Sequence, residues 1–204
     1  MDPLPAWLQN VTLQRFTASR NLVIDIDPAF PWQITSLDGY GDNLQLAKDG
    51  HWGVWAGNAV LNGAAATFNR VDVRRPSLKL TANPNTVSIS ELSAFTEKGI
   101  LEAAAAVSQQ PQRQIAINLN GRGVPLNILE QWGWPALPVT GDGNFQLSAS
   151  GNVQADAPLK PTVSGKLHAV NMDKQEVTQT MAGGVVSTAP SPATAPSVPS
   201  SPQP

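Results

Sequence analysis

The chain has no cysteine, few histidines and little net charge, and each of these absences excludes a class of protein. Among its 204 residues there is no cysteine, which excludes disulfide frameworks, thiolate metal sites and cysteine nucleophiles. Two histidines, His51 and His168, are too few for a His-rich metal cluster. Lysine and arginine number 13 against 15 aspartates and glutamates, a balance without the basic footprint of a nucleic-acid-binding protein. The composition argues against nucleic-acid partners and against most enzymes.

Long apolar runs are also missing. No segment approaches the ~20 consecutive apolar residues of a membrane-spanning helix, and residues 1–5 lack the basic and apolar regions of a signal peptide. We therefore expect either a cytosolic protein or a piece of a longer chain. Charged residues make up only 14% of the chain, against the usual ~25%. With 16 glycines and 18 prolines, this composition indicates short strands and turns.

The C-terminal end is rich in proline and serine. Residues 187–204 contain six prolines, five serines and no charge. Such a segment buries too little apolar surface to offset the entropy of ordering it. We predict a folded domain over residues 1–174 and a disordered tail over 175–204, either inert or acting as a tether or partner-binding segment.

Apolar and polar residues alternate with a period of two from Leu22 to Ala169. This period is typical of strands with one buried face, and the short glycine- and asparagine-rich turns between them require antiparallel neighbours. The sequence therefore predicts an all-β fold, an antiparallel meander. The apolar rows are Leu22, Ile24 and Ile26; Val71 and Val73; Leu78 and Leu80; Val87 and Ile89; Ile115, Ile117 and Leu119; and Phe145 and Leu147.

Two segments depart from this pattern. Leu126, Leu129 and Trp132 recur every three residues after Pro125, which predicts a short helix over residues 125–132. Residues 97–109 have high helix propensity but no apolar stripe with a helical period, and we interpret them as a strand with small side chains.

One short helix is too little to cover the apolar faces of roughly nine strands. The sheet must therefore fold on itself as a sandwich or barrel, or curl into a trough that holds something apolar. Composition alone does not choose between these arrangements.

No motif in the chain indicates catalysis. The Gly-x-Gly pairs lack a third glycine and a following helix, the carboxylates are dispersed, and no nucleophile elbow is present. We predict no catalytic residue, no metal site and no cofactor. The six tryptophans are interpreted as packing at core ends and sheet rims, with a sugar-binding platform or a position at the bilayer–water boundary as alternatives.

The order of apolar and glycine positions resembles the AsmA family of envelope proteins in Gram-negative bacteria. The similarity covers residues 54–170, and more loosely 20–50. The segments that carry it include Gly57-Asn58-Ala59-Val60-Leu61, Arg75-Pro76-Ser77-Leu78-Lys79-Leu80, Val87-Ser88-Ile89 and Val139-Thr140-Gly141-Asp142-Gly143-Asn144-Phe145-Gln146-Leu147.

This resemblance implies a periplasmic protein anchored in the inner membrane. It also implies a long antiparallel sheet curled into a U-shaped groove, thought to pass phospholipid toward the outer membrane. The chain would then be a C-terminal fragment. Its expected partners are phospholipid, the membrane through an anchor outside this chain, and other envelope proteins.

We hypothesise a non-enzymatic lipid conduit for outer-membrane biogenesis, whose groove is lined by the apolar rows named above, all facing one concave side. A one-residue slip would expose a whole row, so the register of each strand is tightly specified. The alternatives are an all-β module that binds a glycan or a protein, and a structural component of a secretion assembly.

Overall fold

The described part of the chain folds into one twelve-stranded antiparallel sheet with a single short helix. A computed structural model describes residues 5, 7–109, 113–153 and 162–189, and these residues confirm the predicted all-β fold. The elements are β1 (Val11–Asp25), β2 (Trp32–Lys48), β3 (His51–Asn62), β4 (Ala65–Phe68), β5 (Val71–Asn83), β6 (Thr86–Phe95), β7 (Ile100–Ser108), β8 (Arg113–Pro125), α1 (Ile128–Gln131), β9 (Asp142–Val153), β10 (Ser164–Asn171), β11 (Glu176–Ala182) and β12 (Val185–Thr188).

Except at β4, strands that are consecutive in the chain are neighbours in the sheet. The order is β1-β2-β3-β5-β6-β7-β8-β9-β10-β11-β12, and β4 pairs with both β2 and β5. Every pair is antiparallel. Residues 97–109 contain the strand β7, as predicted. The predicted helix is present but shorter, because β8 continues to Pro125 and α1 begins only at Ile128.

The C-terminal boundary differs from the prediction. Two strands, β11 and β12, lie inside the segment 175–204 that the sequence assigned to a tail. In β11 the buried Val177, Gln179 and Met181 alternate with the more exposed Thr178 and Thr180, so this segment has the period of a strand. Residues 190–204 lie outside the described residues.

The two faces of the sheet differ in polarity. Partners in an antiparallel ladder project to the same face, so a row can be followed from strand to strand. One face, which we call the apolar face, carries a row of successive partners: Leu61, Leu78, Leu92, Ala103, Leu119, Leu147 and Leu167. The opposite polar face carries the row Glu102, Asn120, Gln146, His168 and Thr178.

Bulges keep the apolar rows on one face. Val73 and Leu78 are five residues apart and would face opposite sides of a regular strand. The pairing of β5 with β6 shifts between Arg74 and Ser77, and Arg75 has a φ of 51°. This extra residue returns Leu78 to the face of Val73, as a bulge does.

The connection between β8 and β9 covers one end of the apolar face. We call residues 126–139, which include α1, the plug. Its apolar side chains pack against strands from β4 to β11 in one core cluster. The buried members are Ala66, Val71, Val73, Ala94, Leu101, Val124, Leu126, Ile128, Leu129, Trp134, Leu137, Val139, Phe145, Leu167, Ala169, Val177 and Met181.

Two hydrogen bonds of the plug show that the sheet is curled. Trp132 Nε1 donates to the Phe68 carbonyl of β4 at 3.1 Å, and Trp134 Nε1 donates to Gln179 Oε1 of β11 at 2.7 Å. β4 and β11 are seven strand positions apart, or ~34 Å in a flat sheet with ~4.8 Å between strands. Two residues of chain span only about 7 Å, and indole side chains add a few ångströms at each end. The sheet therefore wraps around the plug with its apolar face inside.

Candidate functional site

An open apolar groove adjoins the plug. It has a volume of about 490 Å³ and lies between the β1–β2 hairpin and the strands β3, β5 and β6. None of its lining residues is charged, and Asn62 and Ser77 are its only polar ones. The apolar lining residues are Val23, Phe30, Trp32, Ile34, Leu37, Leu61, Phe68, Pro76, Leu78 and Leu92.

A small cavity continues the groove beneath the plug. It has a volume of about 70 Å³ and shares Phe68, Pro76 and Leu92 with the groove. Trp132 of the plug lines its other side. The plug therefore borders the groove at this end, and its indole is fixed by the bond to the Phe68 carbonyl.

The apolar face continues from the groove across the following strands. Leu80, Ile89, Ala105, Ile117 and Ala149 are successive partners in one row. All of them are half-buried, so the plug does not cover this row completely. The groove and these strands form one continuous apolar surface.

Five of the six predicted rows lie on the apolar face, at different depths. Val71, Val73 and Phe145 are buried in the core cluster beneath the plug, so they pack against protein and do not line open space. The remaining members of these five rows are half-buried on the same face: Leu78, Leu80, Val87, Ile89, Ile115, Ile117, Leu119 and Leu147.

The predicted row at the end of β1, which consists of Leu22, Ile24 and Ile26, lies on the polar face and does not line the groove. Ile24 pairs with Gln33, Gln33 with Thr67, and Thr67 with Asp72, which places Ile24 on the polar face. Leu22, Ile24 and Ile26 are all exposed. Their neighbour Val23 instead pairs with Ile34 and lines the groove. The prediction was wrong here because this segment has apolar residues at both odd and even positions. The pairing with β2 places Val23 on the apolar face and its apolar neighbours on the other face.

Several groove residues were not predicted from the sequence. Ile34 and Leu61 belong to β2 and β3, whose alternation is interrupted by glycines and bulges. Phe68 closes the four-residue strand β4, which is too short to show a period. Leu92 is displaced from the Ile89 row by the bulge in β6. A continuous period of two could not have identified these positions.

The polar face contains a second hollow, of about 440 Å³. Arg122 and Glu102 form an ion pair across it at 2.7 Å, and His168 Nδ1 lies 3.2 Å from Thr178 Oγ1. Neither contact joins a nucleophile to a base and a third orienting group. Among the described residues no group of three or more His, Asp and Glu side chains could hold a metal ion.

Two exposed lysines have pKa values raised by carboxylate partners. A hydrogen bond and the charge of Glu91 raise the pKa of Lys79, with a 2.6 Å contact between them. Asp142 raises the pKa of Lys98 in the same way at 3.0 Å. The first pair joins the neighbouring strands β5 and β6, the second joins the β6–β7 turn to the start of β9, and none of these four residues lines the groove.

No helix in the described ranges is long and apolar enough to cross a membrane.

Comparisons with known proteins give the family of the chain. No protein-family model matches it, and no solved structure matches it significantly. It is 73% identical over 187 residues, 92% of the chain, to the AsmA family protein YicH of Escherichia coli (strain K12). The chain spans 33% of the length of that relative and matches its C-terminal part. The resemblance to the AsmA family is therefore confirmed, with this chain corresponding to the C-terminal part of an AsmA family protein.

Proposed function

We propose that this chain forms part of a non-enzymatic envelope protein whose apolar face conducts phospholipid between the inner and outer membranes. The observation that carries the proposal is the uncharged groove of about 490 Å³ that continues into half-buried apolar rows. Open apolar surface of this extent marks a site for an apolar ligand or partner.

The chemistry of an acyl chain suits this surface. Removing an acyl chain from water is favourable in proportion to the apolar area buried and needs no directional group. The rows present apolar side chains on successive strands, so an acyl chain that moves along them does not have to pass a polar side chain. The groove volume lies within the ~300–1,000 Å³ typical of small-molecule sites.

The envelope location and the two membranes are inferences from the family. A periplasmic setting and an inner-membrane anchor outside this chain belong to the same proposal, as do phospholipid as the transported molecule and contacts with other envelope proteins. The absence of charge from the groove lining supports a passive conduit over a catalytic site, since a catalytic site needs groups that move protons or form bonds.

Replacing Ile117 by aspartate tests the conduit. Ile117 is half-buried in the middle of β8 on the apolar face. At the border of an open groove the new carboxylate keeps contact with water, so we expect Ile117→Asp to fold. An acyl chain cannot pass a charge without desolvating it, so we expect the variant to lose bound phospholipid. A thermal melt and mass spectrometry of co-purified lipid measure the two effects.

The neighbouring residue provides the matched control. Asn118 is exposed on the polar face of the same strand, so Asn118→Asp adds the same charge outside the groove. We expect this control to retain both folding and lipid. A folded Ile117→Asp protein with undiminished lipid would contradict the conduit, and so would outright unfolding of Ile117→Asp, which would indicate a closed core filled by side chains.

A further inference from the structure

A cluster of cationic and aromatic side chains lies at the strand ends opposite the plug. β2 ends at Lys48, β3 begins at His51 and contains Trp55, and β8 begins at Arg113. The plug lies at the other end of the sheet, where β2 begins and where β4 and β8 end. The cluster therefore lies at the far end of the apolar face.

Two cations converge on one indole in this cluster. Lys48 Nζ and Arg113 Cζ each lie 5.9 Å from the centroid of the Trp55 ring, within the ~6 Å of a cation–π contact. Arg113 comes two residues before Ile115 and so projects from the apolar face. β3 and β8 are four strand positions apart, so the contact between Trp55 and Arg113 reaches across the end of that face.

Among the described residues, none forms an ion pair with the cations of this cluster. Within the described ranges the salt bridges involve Lys79, Lys98 and Arg122 only, and neither Lys48 nor Arg113 takes part in one. The two cations can be no farther apart than twice their distance to the shared ring. Two cations beside one ring make the local potential positive, which favours an anion at this end of the sheet.

Apolar side chains and solvent-exposed polar groups meet around the cluster. Trp52, four residues from Lys48, is 43% exposed. Asp49, the acidic residue of the β2–β3 turn, is exposed, and its carbonyl oxygen lies 2.8 Å from His51 Nδ1. Indole side chains are favoured where an apolar region meets a polar one, because the ring is apolar and its N–H is polar.

We propose that Lys48, Trp55 and Arg113 form a binding site for the phosphate of a phospholipid whose acyl chains lie on the apolar face. A guanidinium binds phosphate oxygens through two parallel hydrogen bonds, and an ammonium adds a compact point charge. The inference rests on the proposed function, since the site would hold the headgroup of a phospholipid whose acyl chains occupy the apolar face. It adds a preference for phosphorylated lipids that an apolar face alone cannot provide.

Binding of two fluorescent lipids to the full chain tests the site. Phosphatidic acid and diacylglycerol with identical labelled acyl chains differ only in the phosphate. We expect the wild-type protein to prefer phosphatidic acid. The double variant Lys48→Gln/Arg113→Gln should bind phosphatidic acid about tenfold or more weakly, since it loses two charge-assisted contacts, and should bind diacylglycerol unchanged.

A double variant with the same change of charge is the control. Arg15 and Lys166 are exposed, in β1 and β10, and we expect Arg15→Gln/Lys166→Gln to keep the preference for phosphatidic acid. Thermal melts verify that all the variants are folded.

Each failure has a distinct meaning. If the Lys48→Gln/Arg113→Gln protein keeps the preference, the headgroup site is wrong and the acyl groove stands. If the wild-type protein binds neither lipid, the proposed function fails together with the site. If glycerol phosphate, which has no acyl chain, displaces phosphatidic acid at equal concentration, the cluster is a site for free phosphate esters and the lipid assignment is overturned.

Discussion

Leu167 and Leu22 have the same side chain in opposite surroundings. Leu167 is 0% exposed in β10, within the core cluster, whereas Leu22 is 61% exposed in β1. The contribution of each leucine to stability is set by the face on which pairing places it and by what covers that face. The two positions therefore give a direct measurement of which face is buried.

Truncating these two leucines should have very different effects on stability. Leu167→Ala removes buried methyl groups and leaves a cavity, so we expect the free energy of unfolding to fall by about 2–5 kcal/mol. Leu22→Ala should change it by no more than about 0.5 kcal/mol, as exposed substitutions do. Urea denaturation measures both. A large loss at Leu22 would show that another surface covers it and would contradict the assignment of this residue to the polar face.

At the scale of elements, two tryptophans near the middle of the plug tie it to two distant strands, β4 and β11. Trp134 donates its ring N–H to Gln179 Oε1, and the Gln179 amide donates to the Thr188 hydroxyl at 3.2 Å. Trp134 and Gln179 are both buried. A buried glutamine would be costly without these partners, so the plug and β11 satisfy each other's polar groups.

Breaking this bond from one side should cost more than removing both partners. Trp134→Phe keeps an aromatic ring but leaves Gln179 Oε1 without its donor, and we expect a loss of about 1–3 kcal/mol of unfolding free energy. Gln179→Met in the same protein removes the orphaned oxygen, so the double variant should recover part of that loss. Chemical denaturation of the single and double variants completes the cycle. Strictly additive losses would indicate that the two side chains do not interact.

β11 also shows why part of the fold was missed from the sequence. Its inward positions are Val177, Gln179 and Met181, and a polar residue in the middle hides the alternation. The distant Trp134 satisfies the oxygen of that inward glutamine, and this contact cannot be identified from local sequence. Where inward residues are uniformly apolar, as in Ile115, Ile117 and Leu119, the face was predicted correctly.

The candidate site was predictable to a similar degree. The rows of regular strands were assigned to one face because their polar neighbours are unambiguous. The groove beside the plug was not found, since its residues come from bulged or very short strands. Its position also depends on how the plug packs, which is a long-range property of the chain.

At the scale of the whole molecule, stability should be uneven across the sheet. Neither β1 nor β3 contributes a residue to the core cluster, whereas β9, β10 and β11 all do. Within the described chain β1 pairs only with β2. A sheet held mainly by contacts between neighbours opens from its less supported side.

Amide hydrogen exchange should reveal this gradient. We expect the amides of β1 to exchange faster than those of β9 and β10, which have partners on both sides and lie under the plug. Exchange followed by mass spectrometry resolves these segments. Equal protection of β1 and β10 would mean that the sheet opens in one cooperative step.

The bulge at Arg75 allows both halves of β5 to face the same side of the sheet although an odd number of positions separates them. In a perfectly regular strand, Val73 and Leu78 could face the same side only if an even number of positions separated them. Arg75, with a φ of 51°, is an extra residue that shifts the alternation of side chains by one position. Deleting this single residue would shorten the strand by only ~3 Å and leave Val73 and Leu78 an even number of positions apart, so a regular strand without the bulge would still place Leu78 and Leu80 on the apolar face. A one-residue deletion should therefore be tolerated best where the strand is least regular, since the same deletion in a regular part of β5 would turn the residues beyond it to the other face.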